Sequence, residues 1–286
     1  MMTPLRQQMI EAMQQHGFSP RTHKSYLRAV TDLSRFTHRS PDQLTTDDLQ
    51  AYFGHLVRER HLANASCRLY LNGIRFFYLQ VLGWDNFDVP IVLPKRPQLI
   101  PELLTRQEVA AIIQACHNDK HRMMLLTCYG CGLRVNELVS LKVRHIDGER
   151  RLLRVEQGKG QKDRLVTLSD QLLERLRRYW RTYRPTDWLF PSSEHFADQH
   201  LHAATIQRVY KRCKARAGIR KRGGIHALRH AYATHLLEAG LAVNRLQHLM
   251  GHRDIHSTLG YLHWLPRYNS RERMQCDLIA HLGGST

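Results

Sequence analysis

The sequence predicts a mainly α-helical (α+β) fold in two domains, a small helical domain followed by a larger mixed helical domain carrying a small antiparallel β-sheet. Three observations predict it. Apolar residues recur at helical spacing throughout the first 84 positions without strand alternation, a proline-rich seam follows, and beyond it one short stretch switches to an alternating pattern.

In the first domain, Leu49, Tyr52, Phe53, Leu56 and Val57 repeat at i, i+3, i+4, i+7 and i+8, and Tyr70, Leu71, Ile74, Phe77, Tyr78 and Val81 continue that period. Helix starts are also written out: Ser19-Pro20 supplies an N-cap and a first-turn proline, and Thr45 to Asp48 forms a capping box. Residues 1–84 therefore read as a helical bundle. On its second helix Arg21, Lys24 and Arg28 share a stripe opposite Tyr26, Val30 and Leu33, so they are candidates for contact with an anionic partner.

Four prolines between Pro90 and Pro101 remove backbone donors and bias their predecessors away from helix, which sets a linker at residues 85–102. The second domain, residues 103–286, opens on a capping box from Thr105 to Glu108 that starts a helix through Val109–Cys116, and a second apolar helix, Met123–Gly130, follows it. Leu152, Leu153 and Val155 then alternate with charge, Gly158-Lys159-Gly160 breaks the chain, and Arg164 to Leu168 resumes, which describes a hairpin. A helix at about 170–183, a short strand at Trp188-Leu189-Phe190 and further helices complete the domain.

Composition narrows the function. The chain has 286 residues, with 43 Lys+Arg against 25 Asp+Glu and a formal charge of +18. That surplus favours a polyanion as partner, because neutralising phosphates releases condensed counterions. The stretch Arg208–Arg222 holds eight cations and no acid; Ile206, Val209, Tyr210 and Cys213 give it an apolar face, leaving Arg208, Lys211, Arg212 and Lys214 as candidate phosphate contacts. No apolar run is long enough to span a membrane, no secretory signal opens the chain, and six scattered cysteines make no disulfide framework; a soluble intracellular protein is expected. Cys128 and Cys131, without a second ligand pair at zinc spacing, read as core residues.

Five segments carry cations or a phenol in settings that packing explains poorly: Gly132-Leu-Arg134-Val-Asn-Glu137-Leu, Gly158-Lys159-Gly160-Gln-Lys162-Asp-Arg164, His226-Ala-Leu-Arg229-His230, Gly251-His252, and Tyr261 nine positions later. In this order they resemble the signature of the tyrosine recombinases, and within that family the Xer-type and integron-type integrases. The resemblance spans nearly the whole chain. It implies a SAM-like core-DNA-binding domain, a catalytic domain, and a catalytic set of Arg134, Lys159, His226, Arg229, His252 and Tyr261.

The residue types suit that chemistry. Attack on a phosphodiester builds negative charge on two non-bridging oxygens, so donors must be preset around them, and guanidinium is planar, permanently charged and bidentate toward phosphate. Arg134 and Arg229 are expected to clamp the phosphate, with His226 and His252 adding hydrogen bonds. Tyr261 is the expected nucleophile, and His226 or His252 the group that helps take its proton. Lys159, in a Gly-flanked turn, would protonate the departing 5′-oxygen, and Lys162 is its competitor for that role. Lys162 and Arg164 are also expected on the DNA backbone. Glu137 would orient Arg134 or cap a helix, His230 would buttress the motif, and His263 would lie behind the reacting groups.

No cluster of carboxylates suggests a metal, so neither metal nor cofactor is expected. The resemblance further implies double-stranded recombination sites gripped by a C-shaped clamp, strand exchange by a homo-tetramer or a hetero-tetramer with a related recombinase, and a tail from about Pro266 that docks on a neighbouring subunit. It suggests a bacterial, cytoplasmic, nucleoid-associated enzyme of a mobile element. A type IB topoisomerase-like enzyme and a non-catalytic DNA-binding protein are the alternatives.

Overall fold

The computed structural model describes residues 3–94, 102–156, 163–192, 199–262 and Trp264, and the chain divides into two compact units, 1–99 and 100–286. Lys159, Lys162, His263 and the tail from Pro266 lie outside the described residues.

The first unit contains four α-helices, α1 (Pro4–Gln15), α2 (Pro20–Thr37), α3 (Thr46–Arg58) and α4 (Asn64–Gln80). Ser19 caps α2 by accepting from the Thr22 amide, and Thr45 and Asp48 close the capping box that starts α3. Met9, Met13, Leu33, Leu49, Leu56, Ile74 and Phe77 form its core. The backbones of α2 and α4 approach closely because Gly73 has no side chain: a Cβ there would stand 3.1 Å from the Tyr26 Cα. Trp84, Phe87, Val89, Ile91 and Leu93, entering the proline-rich seam, pack against this same core. Arg21, Lys24 and Arg28 are exposed along α2, and Arg28 lies 3.6 Å from Asp32.

The second unit begins with α5 (Arg106–Gln114), α6 (Asp119–Gly130) and α7 (Val135–Val139). Three short strands, β1 (Ile146–Asp147), β2 (Leu152–Val155) and β3 (Arg164–Thr167), form an antiparallel sheet in that order, with Leu153 paired to Val166 and Val155 to Arg164. Leu153, Val155 and Val166 turn into the core while Arg154 and Leu165 face outward, the alternation that a half-buried sheet requires. Then come α8 (Asp170–Tyr183), α9 (Ala203–Arg216), α10 (His226–Glu238), α11 (Val243–Met250) and α12 (His256–Leu262).

α6 and α10 pack on each other at the centre of this unit, each buried on several sides. The strand expected at Trp188–Phe190 does not form. Trp188 makes a single antiparallel bridge to Lys142, flanked by the Leu189 N–H donating to the Leu141 carbonyl at 2.8 Å and the Val143 N–H donating to the Asp187 carbonyl at 2.9 Å; the pairing stops there, and Leu189 and Phe190 are buried. Cys128 and Cys131 are buried free thiols, and burial pushes both up to about 12. Among the described residues, no helix is long and apolar enough to cross a membrane.

Candidate active site

The site is assembled around one carboxylate. α7 starts at Arg134, whose backbone N–H donates to Glu137 Oε2 at 2.8 Å, so the third residue of the helix caps its first turn. The same carboxylate accepts from the Arg134 guanidinium, Nη1 to Oε1, at 2.7 Å. Arg229, on α10, brings its own Nη1 to 3.9 Å from Glu137 Oε2. Two guanidiniums from segments far apart in sequence therefore share one anion. Burial would raise the Glu137 carboxyl, but Arg164 and Arg134 hold it down to about 2.

Two glycines turn backbone carbonyls into this centre. After α6, Gly132 takes φ +58°, and its carbonyl accepts from Arg229 Nη1. A Cβ at that position would come within 2.3 Å of the Tyr232 ring. After α11, Gly251 takes φ +61° as a left-handed cap, and its carbonyl accepts from Arg134 Nη2 at 3.4 Å. Arg229 also donates to the Met250 carbonyl and is only 1% exposed. Burial and the nearby Arg134 lower its guanidinium to about 10, still charged at neutral pH.

His252 follows Gly251 directly. Its Nε2 stands 3.2 Å from Arg229 Nη2, and its Nδ1 stands 2.9 Å from Thr258 Oγ1. A guanidinium can only donate, so Nε2 accepts and Nδ1 carries the proton toward Thr258. Burial, then Arg229, Arg134 and Arg164, depress His252 to about 4, keeping it neutral. His226, at the first turn of α10, keeps part of its surface exposed at the edge of the site; desolvation by the protein around the ring, then the charges of Arg229 and Arg134, lower it as well.

Tyr261 on α12 completes the group. Its ring lies parallel to His252 with centroids 6.2 Å apart, and its hydroxyl is 3.1 Å from His230 Nδ1. Burial raises the phenol, while Arg229 and Arg134 act in the opposite direction. Arg134, His226, Arg229, His252 and Tyr261 thus come together. The sequence nominated His226 or His252 as partner of the Tyr261 hydroxyl; the side chain bonded to it is His230.

Two expected phosphate contacts are turned inward. Arg164, on β3, places both Nη atoms on Glu137 at 2.9 and 2.7 Å and its Nε on the Leu249 carbonyl at 2.9 Å, and its side chain is 9% exposed. A buried fork committed to a carboxylate cannot serve as a surface contact for DNA backbone. Lys214 donates to the carbonyls of Lys221 and Gly223, so its charge holds the loop before α10 rather than facing outward. Arg208, Lys211 and Arg212 are exposed on α9. Among the described residues, no three His, Cys, Asp or Glu side chains are grouped as metal ligands.

Residues 102–267 match the phage integrase family, and residues 5–86 match the SAM-like N-terminal domain of phage integrases. The integrase/recombinase y4qK of Sinorhizobium fredii is 44% identical over 265 residues, covering 91% of this chain and 84% of that protein. The tyrosine recombinase XerA of Pyrococcus furiosus is 35% identical over 257 residues, covering 88% and 87%. In fold, the chain is similar to the Tn1549 transposon integrase solved with transposon right-end DNA, at TM-score 0.72, 15% identity and coverage of 97% and 100%. It is also similar to a lambda integrase dimer bound to a core site, at TM-score 0.71, 21% identity and coverage of 88% and 92%. The shared carboxylate with its arginines, the histidines and the adjoining phenol thus lie in a chain that belongs to the phage integrase family of tyrosine recombinases.

Proposed function

We propose that this tyrosine recombinase cuts and rejoins duplex DNA at specific sites through Tyr261, with Arg134 and Arg229 holding the scissile phosphate. The observation that carries the reading is the convergence of both guanidiniums on Glu137, with Tyr261 stacked beside the histidine that Arg229 contacts. Permanent donors fixed before substrate arrives stabilise charge as it develops on phosphorus, without reorganisation during the reaction.

Tyr261 Oη attacks phosphorus, forming a 3′-phosphotyrosyl bond and breaking the bond to the 5′-oxygen. Lys159 is the proposed donor of the proton that leaves with that oxygen. The phosphotyrosyl link conserves the bond energy, so a 5′-hydroxyl from a second duplex reverses the step without a nucleotide cofactor. Exchange between two duplexes calls for four subunits, and a tetramer on DNA is part of the proposal, as is service to a mobile element. The small helical domain and the exposed cations Arg21, Lys24, Arg28, Arg208, Lys211 and Arg212 are proposed to bind the DNA backbone, which fixes position rather than sequence.

The test uses a duplex selected by this protein from a random-sequence library, nicked near the cleavage point to trap the covalent complex. Capture and recombinant joints by the wild type, with no capture by Tyr261→Phe at unchanged DNA binding, support the proposal. Equal capture by Tyr261→Phe removes Tyr261 as nucleophile.

A further inference from the structure

We propose that His230 takes the proton of the Tyr261 hydroxyl as that oxygen attacks phosphorus. The inference rests on Tyr261 being the nucleophile, as proposed above, and names the base that serves it.

Geometry singles His230 out. Its Nδ1 is 3.1 Å from Tyr261 Oη, within hydrogen-bond reach of the proton to be removed. The two other histidines are placed differently. His252 lies parallel to the Tyr261 ring, and both of its nitrogens are committed, one to Arg229 and one to Thr258. His226 meets the His230 ring edge-on at 4.7 Å. Trp264 packs edge-on to both His230 at 5.6 Å and Tyr261 at 5.1 Å, so the imidazole and phenol share an aromatic neighbour.

The helix explains the division of labour. His226, Arg229 and His230 occupy i, i+3 and i+4 on α10, which brings them to one side of it. Arg229 points to Gly132 and Met250, and His230, one position further, points to Tyr261 on α12.

Electrostatics fit the role. Burial, then His226 and Arg229, lower His230 to about 4, so it is unprotonated at neutral pH. Tyr261 of α12 faces it; α5, α6 and α11 also pack on α10, and the charged groups that act on His230 are His226 and Arg229 of its own helix. A base this weak leaves the phenol protonated at rest. A bound phosphodiester brings negative charge beside it, which favours the imidazolium and raises its basicity when the proton must move.

The step balances. The Oη–P bond forms, the P–O5′ bond breaks, the phenolic proton passes to His230 Nδ1, and the 5′-oxygen receives its proton from the separate acid. In the reverse step His230 returns its proton to Tyr261 as the incoming 5′-hydroxyl attacks.

The test compares the full-length wild type with His230→Asn and His230→Ala on the nicked, library-selected duplex, in single turnover from pH 6 to 9. Asparagine can accept a hydrogen bond near the Nδ1 position but cannot carry the proton. We expect DNA binding within about twofold of wild type and covalent capture slowed on the order of 10²–10³-fold at pH 7 in both variants. The deficit should shrink as pH rises and solvent takes over deprotonation. A 5′-bridging sulfur, which relieves the need for a general acid, should not restore the rate. Wild-type capture by His230→Asn, or a loss that is equal at every pH, overturns the assignment. Capture by Tyr261→Phe would instead remove the nucleophile, a result distinct from failure of His230.

Discussion

Arg164 and Glu137 meet through two parallel hydrogen bonds, Nη1 to Oε1 at 2.9 Å and Nη2 to Oε2 at 2.7 Å, with both side chains less than a tenth exposed. The pair ties β3, the strand that follows the Gly-Lys-Gly segment, to the first turn of α7, where Arg134 begins. Arg134 and Arg229 lean on the same carboxylate, so its removal would leave three cations facing one another. Breaking a buried pair on one side costs far more than the intact pair contributes.

Glu137→Gln should therefore destabilise the catalytic domain by about 3–5 kcal/mol, read as a lower urea midpoint. Covalent capture should fall with it. An unfolding free energy within about 0.5 kcal/mol of wild type would show that the three arginines do not depend on this carboxylate.

Arg164→Ala and Arg212→Ala should separate an internal brace from a phosphate contact. Arg164→Ala should lower the urea midpoint and leave the salt dependence of DNA binding unchanged. Arg212→Ala, on the exposed face of α9, should leave the midpoint unchanged and reduce the log–log salt slope by about 1. The reverse pattern would return Arg164 to the DNA surface.

Three glycine-to-alanine changes should diverge. Gly132→Ala combines φ +58° with a Cβ 2.3 Å from Tyr232 Cδ1, and Gly251→Ala combines φ +61° with a Cβ 2.9 Å from Arg164 Cδ. Each should destabilise by more than about 1 kcal/mol. Gly260 lies inside α12 with nothing within 4 Å of an added Cβ, so Gly260→Ala should be neutral or stabilise by about 0.5–1 kcal/mol. Thermal unfolding of the three variants checks the ranking.

Stability should fall on mild acidification. His230 and His252 are held at about 4 against an ordinary 6.5, so the unfolded chain binds protons that the folded one refuses. Their contribution is complete above pH 6.5 and is lost as pH drops toward 4. Glu137, at about 2 against an ordinary 4.5, acts in the same direction in a lower window, between 4.5 and 2. Melting temperatures from pH 8 to 4 should decline below about 6.5, and His252→Gln should flatten part of that decline. A melting temperature that rises on acidification would contradict these shifts.

Local signals were the most readable in the sequence. The caps at Ser19, Thr45 and Thr105 work through residues three positions apart, and each forms as the sequence predicts. The five motif segments were legible because each carries its own glycine or charge pattern. Arg164 was misread because its partner is 27 residues away, and in a four-residue strand alternation does not reveal whether a cation faces solvent or a buried carboxylate. Lys214 was misread for a related reason: its acceptors are carbonyls of a loop seven to nine residues on. His230 reads from the sequence only as a buttress, because His226 and His230 stand one turn apart on α10 and only the placement of α12 decides which imidazole reaches the phenol.

The most direct measurement is identification of the residue that carries DNA after capture. The trapped complex is digested with nuclease and protease, and the modified peptide is sequenced by mass spectrometry. The account predicts a nucleotide joined through its 3′-phosphate to Tyr261, and none in Arg134→Ala or Arg229→Ala at equal DNA binding. A nucleotide on another side chain, or undiminished labelling of Tyr261 in either arginine variant, would contradict it.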